Sequence, residues 1–440
     1  MKAIIVAGGK GTRLGKKTLN TPKSLIKISG KTVLEYQIEL LRKNGIREII
    51  ILINHLSAQI KKFCGNGEKW NVNITYFEES FPLGTAGGMR EIRDTLKDDF
   101  IVLYGDLLLN VDLKRMIKQH RKNRNLKKNC IGTLIVHPNN HPYDSDLIEI
   151  DEKNQITNFF PKPHAEGFIY KNLVNAALYI LSPEICDEIP EKTSSDFGKD
   201  IFPKIIKRKK HILFAYHSPE YLKDMGTAER LKQATCDVRS GAYERGSLAF
   251  RKPAIFLDRD GVINEEVDRL SNIHDFRLMK HAAEAIKKIN ESGYYAVAIT
   301  NQPMVAKGFC SYTEAVEVNK KMETALGKFG AKIDRLAACP HLPKTGFPGE
   351  NKKDKMNGSC RKPKTGMIRQ AARDLNIDLE KSYFIGDSIV DALTAANAGV
   401  SFIGVKTGYG CKDQKNKNFL KNGSLTIKND IYQAVRSILG

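Results

Sequence analysis

A chain of 440 residues, 41% hydrophobic and 28% charged, is long enough for two or three domains with sizeable cores and excludes a disordered or low-complexity protein. The formal charge of +21 raises nucleic acid or an anionic membrane as partners, but the excess divides evenly between 1–236 and the remainder, and the densest basic run, KIIKRKKH at 204–211, reads as a surface helix end, so neither partner is expected. Eight scattered cysteines, no long apolar run and a glycine-rich start unlike a signal peptide predict a reduced, cytoplasmic setting.

From the start, short β-branched runs alternate with helical patterns: KAIIVAG, TVLEYQIELLRKNG, EIIILIN, a helix near Ala58, then VNITYFEE. This is the rhythm of a parallel sheet covered by helices. FIVLYGD adds a strand ending on Asp106, and 131–180 predicts further, antiparallel strands shaping a pocket, with turns at HPNN and DEKNQ. KDMGTAERLKQA reads as a loop opening a helix. At 237–253, DVRSGAYERGSLAFRKP loses its periodicity and carries two glycines, which predicts a linker between domains of 1–236 and 254–440. Beyond it the alternation resumes with AIFLD, a helix over about 282–291, YYAVAITN, a helix near 313–329, YFIGD and SFIGVKTG; GENKKDKMNGS at 349–359 reads as a mobile polar loop. Both halves are expected to be α/β.

Each half opens on a strand that runs into a loop suited to phosphate. In VAGGKGTRLG, Gly8, Gly9 and Gly11 let backbone N–H groups approach phosphate, and Lys10 and Arg13 add positive charge. The spacing is neither G-x-G-x-x-G nor the P-loop pattern, which disfavours dinucleotide and kinase chemistry. TPKSLI then offers Lys23, FPLGTAGGM a second glycine loop with Gly84, Thr85, Gly87 and Gly88, and YGD the carboxylate of Asp106.

Together with FPKP, NAALYIL and KDMGT, in that order over 8–227, these motifs resemble the sugar-1-phosphate nucleotidyltransferases, most strongly the branch that makes GDP-mannose and GDP-heptose. The resemblance implies a Rossmann-like, GT-A-like nucleotidyltransferase domain. By it, Gly8, Gly9, Gly11, Thr12 and Arg13 hold the base and triphosphate, Lys23 stabilises charge at the α-phosphate, Arg13 and Lys23 count as catalytic, and Thr85 and Gly87 lie near base or sugar. It further implies that Asp106 and Asp224 bind Mg²⁺ and that Lys162 and Asn175 contact the sugar phosphate. Gly198 departs from the pattern, standing where relatives often carry an acid.

IFLDRDGVIN at 255–264 places Asp258 and Asp260 two residues apart where a strand ends, so that one carboxylate can attack phosphorus while the other moves protons. Thr300 ends YYAVAIT, Lys362 lies in CRKPKTG, and YFIGDSIVD places Asp387 and Asp391 at another strand end. These ordered motifs resemble the haloacid-dehalogenase-like (HAD-like) phosphatases, which implies a Rossmannoid domain. Asp258 is then the nucleophile, Asp260 the general acid and base, and Thr300, Asn301 and Lys362 the phosphate holders. Asp258, Asp260 and Asp387 would hold Mg²⁺. Within that superfamily the chain looks like the branch of heptose 1,7-bisphosphate 7-phosphatases and histidinol-phosphatases, although Pro303 and Lys307 stand where serine and arginine are common. That branch binds zinc through C-x-H and C-x-C. Cys339, His341 and Cys360 match, but Gly358 replaces a further cysteine, so Zn²⁺ would need another ligand or water.

Two consecutive reactions explain both loops on one chain. The 7-phosphate leaves D-glycero-D-manno-heptose 1,7-bisphosphate, and the heptose 1-phosphate accepts GMP from GTP. The alternatives are a mannose or other hexose transferase fused to a histidinol-phosphate-type or other sugar phosphatase, and a regulatory nucleotide-sugar binder with one half inactive. The expected partners are a nucleoside triphosphate and heptose phosphates.

Overall fold

The computed structural model describes residues 1–9, 11, 19–412 and 426–440. They form two compact α/β units. One comprises Met1–His137, Ser145–Lys162 and Leu173–Phe250; the other comprises Pro138–Asp144, Pro163–Asn172 and Arg251–Gly440. Among the described residues no helix is long and apolar enough to cross a membrane.

In the first unit the strand Ala3–Val6 lies parallel between Glu48–Ile53 and Phe100–Tyr104, with Ile5 opposite both Ile51 and Leu103. Side chains alternate across the sheet. Ile5, Ile51 and Leu103 join Leu34, Ile38 and Leu41 of the helix Val33–Lys43 in one core, while Ile4, Leu52 and Val102 meet Tyr179, Phe197 and Phe202 in another. Strands buried on both faces must be apolar at every position, which is why AIIV and EIIILI read as unbroken runs. The helix Val33–Lys43 begins at Thr32, whose hydroxyl accepts from the Glu35 N–H while the Glu35 carboxylate accepts from the Thr32 N–H. Antiparallel strands do occupy 131–180. Val174–Leu181 runs antiparallel to Phe100–Tyr104, and its register with Cys130–His137 breaks between Asn175 and Tyr179, where Ala177 adopts φ 53°. Such a bulge re-aims the side chains beside it.

The second unit is built on six parallel strands in the order Arg335–Cys339, Tyr295–Asn301, Ala254–Leu257, Tyr383–Gly386, Ser401–Val405 and Ile427–Lys428. The chain leaves Ala254–Leu257 toward one side and later returns on the other, so the loops beyond Leu257 part and leave a crevice, the usual ligand site of such sheets. Its core joins Ile255 and Leu257 to Ile286 and Ile289 of the helix Ala282–Glu291 and to Val318 and Met322 of the helix Tyr312–Gly327.

The expected linker at 237–253 is not an open tether. The helix Ala228–Arg239 runs into it, and Tyr243 is buried with its ring 5.3 Å from that of Tyr36 and 5.4 Å from that of Tyr221. The Leu248 N–H donates to buried Glu220 Oε1 at 2.7 Å. Two anchors suffice to order a stretch whose glycines and charges suggest a loop. The second unit also takes two excursions from within 131–180. There the Tyr170 N–H donates to Thr324 Oγ1 at 2.9 Å, the Thr324 hydroxyl donates back to the Tyr170 carbonyl at 3.1 Å, and the Asn172 N–H donates to Glu323 Oε2 at 3.0 Å.

Candidate active sites

In the first unit Gly8 and Gly9 follow the strand Ala3–Val6, and Gly11 has φ 65°. Lys10, Thr12 and Arg13 lie outside the described residues. A Cβ at Gly8 would stand 3.3 Å from Glu79 Oε2, and one at Gly88 would stand 3.0 Å from Glu79 Oε1. Glu79 is thus seated between the two glycine loops, 7% exposed, with the Leu83 N–H 3.4 Å from Oε2, and burial pushes its carboxyl up. It is absent from the expected set; its signal is an acid at the end of a strand, directly before SFPLGTAGG.

The Thr85 hydroxyl donates to Asp196 Oδ2 at 2.8 Å and accepts from the Phe197 N–H at 3.0 Å, so Thr85 fastens the second glycine loop to the turn at 196–197. Gly87 lies under the Thr193 carbonyl, 2.7 Å from where a Cβ would stand. Asp196 Oδ1 accepts from the Gly198 N–H at 2.8 Å, and a Cβ at Gly198 would stand 3.0 Å from Asp146 Oδ2. An acid at 198 would therefore crowd two existing carboxylates, which accounts for the glycine. Lys162 and Asn175 meet at Asp146: the Lys162 N–H donates to Asp146 Oδ1 at 3.1 Å and the Asn175 N–H to the Asp146 carbonyl at 2.9 Å. The Asn175 amide donates to the Tyr179 hydroxyl at 3.1 Å.

Asp106 and Asp224 converge because Tyr221–Asp224 pairs antiparallel with Leu107–Asn110, setting Asp224 opposite Leu107, and the Met225 N–H donates to the Asp106 carbonyl at 2.8 Å. Lys23 is ion-paired to Asp106, and Arg230, another residue missing from the expected set, to Asp224. Burial raises the Asp224 carboxyl, but pairing with Arg230 and the charge of Lys23 outweigh it and hold the group below the usual carboxylate range. Two carboxylates carried on paired strands offer the oxygen ligands that Mg²⁺ takes, although Lys23 and Arg230 hold them here.

In the second unit Asp258, Thr300 and Asp387 stand where three adjacent strands end. Lys362, 5% exposed, bridges Asp258 Oδ2 at 2.7 Å and Asp391 Oδ1 at 2.6 Å, and its N–H donates to Asn301 Oδ1 at 3.0 Å. Asp391 also accepts from the Ser388 hydroxyl at 2.6 Å, closing the N-terminus of the helix Ile389–Ala398. Carboxylate oxygens of Asp258, Asp387 and Asp391 lie within 4.8 Å of one another, an acidic cluster that fits Mg²⁺. Asp260 is not in it. Expected as a metal ligand, its side chain instead faces Arg259 and Asn264, while Asp391 takes a place in the cluster. Burial and the Asp391 carboxylate push Asp258 well above the usual range against the pull of Lys362; burial, partly offset by the Tyr409 N–H, raises Asp387 to about 6. Thr300 Oγ is buried and makes no hydrogen bond. An orphaned hydroxyl costs stability, and a bound phosphoryl oxygen would satisfy it.

Gly261 has φ 78°, and a Cβ there would fall on the Asp387 carboxylate. Gly261→Ala is expected to add about 1–2 kcal/mol of backbone strain and displace Asp387. Phosphate release should be lost while pyrophosphate release persists, as paired assays would show.

The three zinc-type residues Cys339, His341 and Cys360 converge, with ligand atoms within 4.8 Å of one another. Cys339 and Cys360 sulfurs are in bonding contact, Cys360 Sγ is 3.2 Å from His341 Nδ1, and Asp354 lies 3.7 Å from His341 Nε2. The backbone of Gly358 faces the His341 ring where a cysteine would contribute, and the cluster offers only three donors among the described residues. Closed zinc sites take four, so this set does not fit one. Metal analysis of the purified protein should return well under one zinc per chain, and one tightly held zinc would mean that another ligand completes the site.

Residues 2–241 match the family model for nucleotidyl transferases, and 359–429 that for HAD-hydrolase-like proteins. A UTP–glucose-1-phosphate uridylyltransferase of Synechocystis is 34% identical over 220 residues, 47% of this chain and 55% of the relative, so the chain spans about half the length of that protein. A probable mannose-1-phosphate guanylyltransferase of Oryza sativa is 31% identical over 272 residues, covering 58% of this chain and 73% of the relative. A D-glycero-β-D-manno-heptose-1,7-bisphosphate 7-phosphatase of Haemophilus ducreyi is 38% identical over 159 residues, which are 36% of this chain and 85% of the relative. With one model spanning more than half of its length and a phosphatase relative covered almost throughout, this chain belongs to the nucleotidyl transferase family in its N-terminal part and to the HAD-like phosphatases in its C-terminal part.

Proposed function

We propose that this protein removes the 7-phosphate of D-glycero-D-manno-heptose 1,7-bisphosphate and transfers GMP from GTP to the resulting heptose 1-phosphate, releasing pyrophosphate, in the cytoplasm. The observation that carries this reading is the likeness of the second half to a heptose bisphosphate 7-phosphatase on a chain whose first half, a nucleotidyl transferase, is similar to transferases named for glucose 1-phosphate and mannose 1-phosphate. The product of one site would be the substrate of the other.

In the phosphatase site Asp258 attacks phosphorus while Lys362 and Thr300 hold the phosphoryl oxygens, and Asp260 gives a proton to the departing sugar oxygen. Asp260 then takes a proton from the water that hydrolyses the aspartyl phosphate, freeing Asp258. In the transferase site the sugar phosphate oxygen attacks the α-phosphorus in line, the bond to pyrophosphate breaks, and Lys23 offsets the developing charge. Mg²⁺, held by Asp258 and Asp387 in one site and by Asp106 and Asp224 in the other, would supply further charge neutralisation.

Incubating the protein with the heptose bisphosphate and each nucleoside triphosphate, then weighing the products, tests the reading. GDP-heptose is the expected mass. A second reading, a mannose transferase fused to another sugar phosphatase, draws on the guanylyltransferase likeness of the first half; turnover of mannose 1-phosphate in preference to heptose 1-phosphate would favour it.

A further inference from the structure

We propose that Arg259 is the positioning residue of the phosphatase's proton shuttle, aiming the Asp260 carboxylate while a buried amide pair fixes the guanidinium from behind. The inference rests on the phosphatase reading and adds a residue to it. Arg259 lies between the two acids in sequence and is 2% exposed. Its Nε donates to Asp260 Oδ1 at 3.0 Å and its Nη2 to Asp260 Oδ2 at 2.8 Å, a two-pronged grip that fixes the carboxylate plane. Its Nη1 donates to Asn319 Oδ1 at 2.9 Å, and the amides of Asn319 and Gln302 exchange hydrogen bonds at 3.3 Å. From the other side the Asn264 amide donates to Asp260 Oδ1 at 2.9 Å.

Asp260 is therefore held apart from the Asp258, Asp387 and Asp391 cluster by groups that donate and never accept from it. Oδ1 takes both Arg259 Nε and the Asn264 amide, so the shuttled proton rides on the second lone pair of Oδ2, beside the one that faces Arg259 Nη2. As the phosphorus–oxygen bond of the sugar ester breaks, that proton passes from Asp260 to the leaving oxygen, and the guanidinium stays in place as the carboxylate reappears. A lysine could neutralise the same charge but could not fix the plane.

Leaving-group chemistry separates positioning from mere support. A sugar oxygen needs a proton as it leaves; p-nitrophenolate does not. In the full-length protein Arg259→Lys should lower kcat for the sugar phosphate about a hundredfold, with KM little changed, and lower kcat for p-nitrophenyl phosphate less than about threefold. Asn319→Leu, which removes the acceptor behind the guanidinium, should act in the same direction with a smaller loss. Pyrophosphate release by the transferase half reports that each variant is folded. Equal losses on both phosphate esters, or no loss on either, in both variants would overturn the proposal. Asp258→Asn is the control for the underlying reading: if it still hydrolyses both esters, the phosphatase assignment fails, whatever Arg259 does.

Discussion

Asp258→Asn is expected to abolish phosphate release, a loss on the order of a thousandfold or more, while pyrophosphate release from heptose 1-phosphate and GTP continues at nearly its full rate. The amide cannot attack phosphorus, and the residues that would serve the transfer lie in the other unit. Asp106→Ala should do the reverse. The pair also fixes the order of reactions. A 7-phosphate adds about two negative charges, which a pocket shaped for the free 7-hydroxyl would have to bury or pair at a cost of several kcal/mol. Asp258→Asn given bisphosphate and GTP should therefore make little nucleotide sugar, and mixing in the full-length Asp106→Ala protein should restore it. A 7-phosphorylated GDP-heptose made efficiently by the first mutant alone would reverse the order, and loss of both reactions in either folded variant would refute two separate sites.

Lys23→Ala should lower pyrophosphate release about 10²- to 10³-fold, the usual consequence of removing a cation or donor aimed at charge that develops in the transition state. Lys23 is held by Asp106 and feels Asp224, so its loss also leaves Asp106 without its paired cation, while Asp224 keeps Arg230. Phosphate release should be untouched. Initial rates over a range of sugar phosphate and GTP concentrations decide the assignment: a fall in kcat places Lys23 at the reacting phosphorus, whereas a rise in KM alone would reduce it to a binding residue.

The strand-end positions of the expected site residues were legible in the sequence. Asp106, Asp258, Thr300 and Asp387 each follow or finish a run too apolar to be anything but a buried strand, and the structure puts them at such ends. What escaped notice depends on partners distant in sequence. Glu79 becomes significant only when Gly8 and Gly88 close around it, and Arg259 only when Asn319 arrives from a helix that begins much further on, at Tyr312. Local spacing also misleads where a neighbour captures a side chain. Asp260 stands two residues from the nucleophile, yet Arg259 turns it away from the carboxylate cluster that Asp391 completes. The stretch at 237–253 looked unstructured because two buried anchors, Tyr243 and Leu248, are too few to make a periodic pattern.

The second unit is assembled from three separated stretches of chain, and this bears on biosynthesis. During translation Pro163–Asn172 leaves the ribosome well before Thr324 and Glu323, the groups that satisfy the backbone of Tyr170 and Asn172. At ~5–20 residues per second, the wait is on the order of ten seconds, through which the nascent first unit carries two loops without their final partners. The same arrangement defeats module exchange: a phosphatase cut out at Arg251 would surrender the Asn172 N–H that buried Glu323 accepts from, so grafting this activity onto another transferase would require transplanting both excursions with it.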